Sequence, residues 1–275
     1  MFPIVLAGLS ALAFGTSDFS GGKASQRANP LTVTVISQLL GLPVLAVALL
    51  VVPGTPHLAD LGWGLVAGTA GFGGVVLLYR ALASGAMAVV APVTAVTAAL
   101  IPIIAGLFTP RTPGALALAG AAVAVLAIAL VSVGPRTGRV SPRLVALALT
   151  AGALFGFFFA LLGQASETAG LWPLLTVRIS SIGLGVAVML ATRTAFRTPR
   201  TVLPWAAAAG MLDMAANALF LAAATRGHLS VVAAITALYP ASTVLLALAV
   251  DRERLRPLQI AGLGLAATAL VLATT

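Results

Sequence analysis

The sequence contains no cysteine among its 275 residues, which excludes disulfides, thiolate metal sites and cysteine nucleophiles together. Histidine is nearly as scarce: His57 and His228 are the only two and fall in different segments, so a histidine-rich metal site is excluded as well. Charge is equally short. Only 8% of the residues are charged while 60% are apolar, against about 25% and about 45–50% in a soluble domain. A mean hydropathy of +1.13 leaves no stretch for a sizeable water-facing domain. The GxxxxGK[ST] phosphate loop is absent too, so ATP hydrolysis by this chain is not expected, and no cofactor is implied.

What remains is long apolar runs. In lipid the backbone must satisfy its own hydrogen bonds, so only helices or closed barrels can span a bilayer. Barrel strands alternate apolar and polar residues over about ten positions. Here the apolar runs are continuous and about twenty residues long, the length of a spanning helix. Ala11-Leu12-Ala13 has the look of a signal-peptidase site, but no basic residue precedes the apolar run as a signal peptide requires, so the first segment reads as a retained helix. The net charge of +9 comes from Lys and Arg in short loops, the bias expected of membrane proteins. No basic face with groove-reading elements supports nucleic-acid binding.

Turn residues divide the chain into ten apolar segments, 3–24, 31–52, 61–83, 86–108, 112–133, 143–165, 172–192, 202–225, 228–250 and 256–274. Asn29-Pro30, Pro53-Gly54-Thr55-Pro56, Gly134-Pro135, Trp172-Pro173 and Pro199 punctuate them. Lys23, Arg27, Arg136, Arg139, Arg143, Arg193, Arg197, Arg200, Arg252, Arg254 and Arg256 fall on one side, Arg111 and Arg226 on the other. The positive-inside rule puts the first side in the cytoplasm and hence, with ten helices, both termini outside.

The chain also repeats itself. A shift of 142 residues aligns 61–130 with 203–272 without a gap. Trp63 meets Trp205, Gly68 meets Gly210, Gly85 meets Gly227, Thr94 meets Thr236 and Gly120 meets Gly262. With a shift one residue smaller, Phe14-Gly15 meets Phe155-Gly156. The expected architecture is therefore all-α and integral to the membrane: ten transmembrane helices as two inverted five-helix repeats, residues 1–134 and 143–275. An odd helix number inverts the second copy, and inverted repeats that rock about a midplane site are characteristic of secondary transporters.

From Val231 to Leu272 the chain carries Pro240, then Glu253 in a turn, then Gln259 and Gly262. With the two five-helix halves, this resembles the EamA-type family of the drug/metabolite transporter superfamily. Gly120 fits the same pattern in the first half, whereas Arg111 stands where the family often has Glu. Arg178, after Pro173, matches a family Arg that the first half lacks between Val35 and Gln38. The resemblance implies a metabolite transporter in a bacterial inner membrane, with amino acids among the family's exported substrates. It also implies cytoplasmic termini, opposite to the Lys and Arg count.

Charge inside a bilayer is costly, so each intramembrane ionisable residue is a candidate. Asp18 lies about 22 Å along the first helix at 1.5 Å per residue. It could carry a proton across, or pair with nearby Lys23. Asp213 falls midway along the eighth helix with Asn217 one turn on and on the same face; it could bind a substrate amine, carry a proton, or pair with Arg178 of the seventh helix. Arg178 could hold a substrate carboxylate, snorkel to the interface, or pair structurally. Facing a cavity together, Asp213 and Arg178 would match a zwitterion such as an amino acid. Gln38, Thr94, Gln164, Thr236 and Tyr239 offer uncharged hydrogen bonds, which in bundles commonly join helices. Gly64 and Gly68, Gly152 and Gly156, and the Ala233, Ala237, Ala241 stripe allow close helix approach. Pro92 and Pro102 in the fourth helix and Pro240 in the ninth can kink them as paired gates.

The expected function is thus a secondary transporter of a small-molecule solute, an exporter of amino acids or related metabolites by alternating access, with proton coupling as an option. The partners are the solute, the lipid bilayer and protons; a monomer suffices and a homodimer is compatible. The alternative is a membrane enzyme or carrier acting on a lipid-linked or nucleotide-sugar substrate. Against it, the six acidic residues are dispersed, and only His57 has an acidic neighbour, Asp60, in its own segment.

Overall fold

Proline opens most of the helices, where its missing N–H costs nothing. Asn29 caps Pro30–Leu40, its side chain accepting from the Leu31 N–H at 2.9 Å. Ser141 caps Pro142–Leu162, accepting from the Leu144 N–H at 3.2 Å. In the computed structural model, residues 1–84, 87–107 and 141–243 are described, with isolated helical positions between 115 and 130 and between 246 and 268. In chain order the helices are α1 (Phe2–Ser25), α2 (Pro30–Leu40), α3 (Leu42–Val51), α4 (Leu58–Leu82), α5 (Met87–Leu107), α6 (Pro142–Leu162), α7 (Pro173–Ala191), α8 (Leu203–Ala224) and α9 (Leu229–Thr236), with one 3-10 turn at Glu167–Ala169. Among the described residues there is no strand.

Six stretches are long and apolar enough to cross a membrane: α1, α2 and α3 taken together as Pro30–Val51, α4, α6, α7 and α8. Val93–Pro102 and Leu229–Thr243 are shorter apolar stretches. The expected fifth and tenth helices (112–133 and 256–274), the charged turn at 251–254, and Arg111, Arg136 and Arg139 fall largely or wholly outside the described residues.

The contacts define two faces. The loop before α4 and the loop after α6 meet: the Thr55 N–H donates to the Thr168 carbonyl at 2.8 Å. Buried Asp60 accepts from the His57 N–H at 2.9 Å, the Ser166 N–H at 2.8 Å and the Ser166 hydroxyl at 3.0 Å. Pro3 lies beside Gly227 at this same, amino-terminal face. On the opposite face Thr32 donates to the Ala195 carbonyl. There α7 closes with Arg193 in the left-handed region (φ 51). The Thr194 N–H returns to the Met189 carbonyl at 2.9 Å and the Arg193 N–H to that of Leu190 at 3.2 Å, the two bonds of a Schellman cap usually built on glycine. Lys23, Arg27, Arg80, Arg143, Arg193, Arg197 and Arg200 stand at or near this face. Among the described residues Arg226 is the basic side chain of the amino-terminal face, ion-paired with Glu167 at 3.1 Å.

The strongest packing joins the early helices to the late ones. α1 runs antiparallel to α8, with Ser10 donating to the Ala216 carbonyl and Ser17 to the Ala209 carbonyl, both at 2.8 Å. α4 lies against both α6 and α7. The Gly64 and Gly68 pair sits on the Pro173 and Val177 carbonyls of α7. α5 is parallel to α6: Gly152 rests on the Thr94 carbonyl, Gly156 on Ile101 and the Ala98 carbonyl. α9 is likewise parallel to α1, with Gly15 against the Tyr239 carbonyl and Ser242. Helices in lipid associate through van der Waals packing and interhelical hydrogen bonds, and small residues let them do so. Gly210 shows the tightest case, because a Cβ there would overlap the Ser37 carbonyl.

α5 stays helical through Pro92 and Pro102. The ninth apolar segment does not stay regular: it turns at Ala237–Leu238 and resumes as helix over Tyr239–Thr243. Pro240 accounts for this, since it lacks an N–H to donate to the carbonyl four residues back and disfavours helical geometry just before it.

Gly210→Ala is expected to cost about 1–3 kcal/mol through overpacking. Gly183→Ala, where a Cβ meets open space, is expected to be neutral or slightly stabilising. Thermal unfolding of both variants in detergent checks the contrast.

Candidate functional site

A narrow cleft of about 30 Å³ lies between α1, α2, α4, α6, α7 and α8. Its apolar wall is aromatic, with Phe14, Phe72, Phe155, Phe158 and Phe159. Phe159 is the centre of a ring cluster, 5.7 Å from Phe14, 5.2 Å from Phe158 and 4.5 Å from Phe220, in tilted or edge-on geometries. The glycines of α4 make room for it: Gly71 and Gly74 face Phe158 and Phe155.

The polar wall is Gln38, Arg178, Ser181, Asp213 and Asn217. Arg178 is buried, its side chain 3% exposed, and its Nη2 donates to Asp213 Oδ2 at 2.6 Å. Its Nε points to Met214 Sδ at 3.3 Å. Of the readings open to Arg178, snorkelling is therefore excluded and pairing with Asp213 is what the fold adopts. The pair has to form, because an isolated charge in this surrounding would cost several kcal/mol. Asn217, one turn along α8, donates from Nδ2 to the Asp213 backbone carbonyl at 2.7 Å, while its buried Oδ1 has no partner. Ser181 donates to Gln38 Oε1 at 3.3 Å, joining α7 to α2.

A second polar group adjoins this one on the side of the basic face. Asp18 lies within α1, partly buried, and its carboxyl is close enough to that of Asp213 to interact with it electrostatically. Among the described residues it makes no hydrogen bond or ion pair; Lys23 instead stands over the Phe19 ring at 5.3 Å. Tyr79 of α4 is hydrogen-bonded with Ser17 and Ser37 and feels both acids. Tyr239, after the irregular turn of α9, also feels Asp18, and its buried hydroxyl has no partner.

The remaining candidates lie elsewhere. Thr94 is buried and donates to the Ala148 carbonyl at 3.2 Å, so it serves the α5–α6 contact. Thr236 is buried with an unpartnered hydroxyl and does not line the cleft. Gln164 is exposed at the end of α6 and donates to its own helix at Ala160. Pro102 and Pro240 are buried outside the cleft lining, and Pro92 falls within α5. Sequence reasoning missed Tyr79, Ser181 and the aromatic wall. Tyr79 had one signal, as one of only two tyrosines in the chain; the phenylalanines had none, because Phe is unremarkable in a lipid-facing helix. Among the described residues no group of three or more His, Cys, Asp or Glu could hold a metal ion.

Apolar helices long enough to cross a bilayer, enclosing an ion pair and an unpartnered acceptor, define a multi-pass membrane protein with a polar cleft in its interior. The chain belongs to the EamA-like transporter family, whose profile matches residues 1–133 and 143–275; the family is part of the drug/metabolite transporter superfamily, and its members are transporters. A solved structure described only as "Crystal structure of protein" has a similar fold, with a TM-score of 0.75 at 15% identity over 98% of this chain and 96% of that one. No curated protein matches this chain.

Breaking the ion pair tests its role in stability. Arg178→Ala is expected to cost up to about 3 kcal/mol by leaving the partly buried Asp213 carboxylate unpaired. The double variant Arg178→Met/Asp213→Leu, which removes both charges, is expected to unfold at a higher temperature than Arg178→Ala alone.

Proposed function

We propose that this protein is a secondary active transporter that exports a small metabolite, an amino acid or a related compound, by alternating access around the Arg178–Asp213 cleft, with Asp18 carrying a coupled proton. The observation that carries the reading is an interior site with two carboxyl groups and one guanidinium, walled by aromatic rings and held between helices from both ends of the chain. Charged groups in a bundle interior mark solute and ion pathways.

The architecture that goes with this is ten helices in two inverted repeats, 1–134 and 143–275. Several observations support it. The family profile matches twice, once in each half. The seat of Gly15 on the Tyr239 carbonyl and Ser242 has a counterpart in Gly156 on Ala98 and Ile101, within one residue of the offsets of the internal repeat. α5 and α6 run parallel, as the fourth and sixth helices of such a ten-helix chain would. The basic face is then cytoplasmic by the positive-inside rule, with both termini outside.

Alternating access needs a seal that can open. The Asp60–Ser166 hydrogen bonds and the Thr55–Thr168 bond tie the two halves together at the amino-terminal face. The Pro240 break beside Tyr239 offers a second point of bending. These are the elements to which a gating role is assigned here, together with Pro92 and Pro102.

The test is substrate-dependent proton flux in proteoliposomes loaded with a pH dye, across amino acids, sugars, nucleosides and cationic drugs. The expected result is a pH response to one class, lost in Asp18→Asn and in Asp213→Asn. Exchange of radiolabelled solute with a silent dye would remove the proton from the mechanism, and silence in both assays would overturn transport.

A further inference from the structure

We propose that the cleft selects its solute by a protonated amine, held by Asp213 and Asn217 against the aromatic wall, rather than by a carboxylate. This rests on the transport reading and names the substrate class of that same site.

Arg178 and Asp213 form a neutral pair, so whenever Asp18 beside them is deprotonated the described charged groups at the cleft, two acids and one base, carry one net negative charge. Among the described residues no further cation is paired with Asp18 or Asp213. Asp18 accepts no hydrogen bond among the described residues, and Lys23, the nearest base on its own helix, lies over the Phe19 ring. A single cation restores neutrality, whereas an anion would double the imbalance.

The hydrogen-bonding inventory points the same way. On Arg178, Nε and Nη2 form the edge that would grip a carboxylate side-on, and both are engaged, by Met214 Sδ at 3.3 Å and Asp213 Oδ2 at 2.6 Å. Nη1 has no partner among the described residues and is left as the remaining donor group; the cleft also has an acceptor to spare. Asn217 is 5% exposed and lines the cavity. Its Nδ2 is bound to the Asp213 carbonyl at 2.7 Å, which fixes the amide orientation and leaves Oδ1 as a buried acceptor with nothing to accept from. A buried acceptor left unmatched costs about 1–3 kcal/mol, and an ammonium supplies the missing N–H. Asp213 stands one turn away on the same face of α8, with its second oxygen, Oδ1, outside the bond to Arg178. An ammonium between these two groups meets a charged and a neutral acceptor, and Phe14 and Phe159 lie on the apolar side for the body of the molecule. Aromatic faces also attract a cation directly.

The experiment uses the full chain in proteoliposomes with three probes that share one aromatic body: phenethylamine, phenylalanine and 3-phenylpropionate. Radiolabelled phenethylamine uptake is expected, with phenylalanine competing at least tenfold more weakly and phenylpropionate not at all. Asn217→Leu is expected to lower phenethylamine uptake at least tenfold, and Asn217→Asp, which keeps the acceptor, to restore it; thermal melting of each variant separates loss of binding from loss of fold. Phenylalanine transported as well as the amine, or phenylpropionate ahead of both, overturns the proposal in favour of carboxylate recognition. Equal uptake by wild type and a folded Asn217→Leu also overturns it. If none of the three probes moves while another solute of the wider panel does, amine selection fails and transport stands; if no solute of any class moves, the transport reading fails with it.

Discussion

Close approach of backbones at small residues is the constraint on which the rest of this structure depends. Lipid gives apolar helices no reason to prefer one another over acyl chains, so contact has to come from packing density and hydrogen bonds. Here Gly41 meets Gly210, Gly64 and Gly68 meet α7, Gly152 and Gly156 meet α5, and Gly15 meets the end of the ninth segment. All of these helix contacts join residues before 108 to residues after 140. The two parts of the chain are therefore interleaved, and the cleft exists only because both supply its walls.

Electrostatics then sets what the interior can hold. The Arg178–Asp213 pair answers its own desolvation, and Asn217 spends its donor on the helix backbone. Asp18 adds a further carboxyl close to Asp213, with Tyr79 and Tyr239 near both acids or one. A bundle selected for stability alone has little reason to keep an unpaired acid, the unmatched Asn217 Oδ1 and the unpartnered Tyr239 hydroxyl in one region, since each is costly in a low dielectric. Such groups are tolerated where a passing solute or proton completes them. The same region is bordered by the Pro240 irregularity and, at the amino-terminal face, by the hydrogen bonds of Asp60.

Much of this was legible beforehand. The apolar runs and their proline starts placed α1, α4, α6, α7 and α8 within a few residues, because a spanning helix must be about twenty residues long whatever its partners. The GxxxG pairs were readable as contacts, since in lipid few other roles exist for them. Asp213, Arg178, Asn217 and Gln38, which line the cleft, could be singled out beforehand because polar groups are so rare in the chain that each one stands out. Gln164 shows the limit: its segment was drawn to residue 165, while α6 ends at Leu162, and three residues decide between a bundle interior and an exposed loop. Tyr79 and Ser181 escaped because a hydroxyl in an apolar helix signals nothing until its neighbours are known.

The sequence by itself determined the class of protein: a chain 60% apolar and 8% charged has no solvent but lipid and no spanning structure but helices, and that follows from local energetics alone. Only the tertiary structure decided which charges meet. Residues 178 and 213 lie on different helices, and no periodicity within either one says whether their side chains face each other, lipid or a cavity. The rotation of each helix about its axis is set by where its glycines find a partner, a property of pairs of helices rather than of either alone. That rotation is what turns Arg178 towards Asp213, leaves Asn217 Oδ1 unmatched, and closes five phenylalanines around the same cleft.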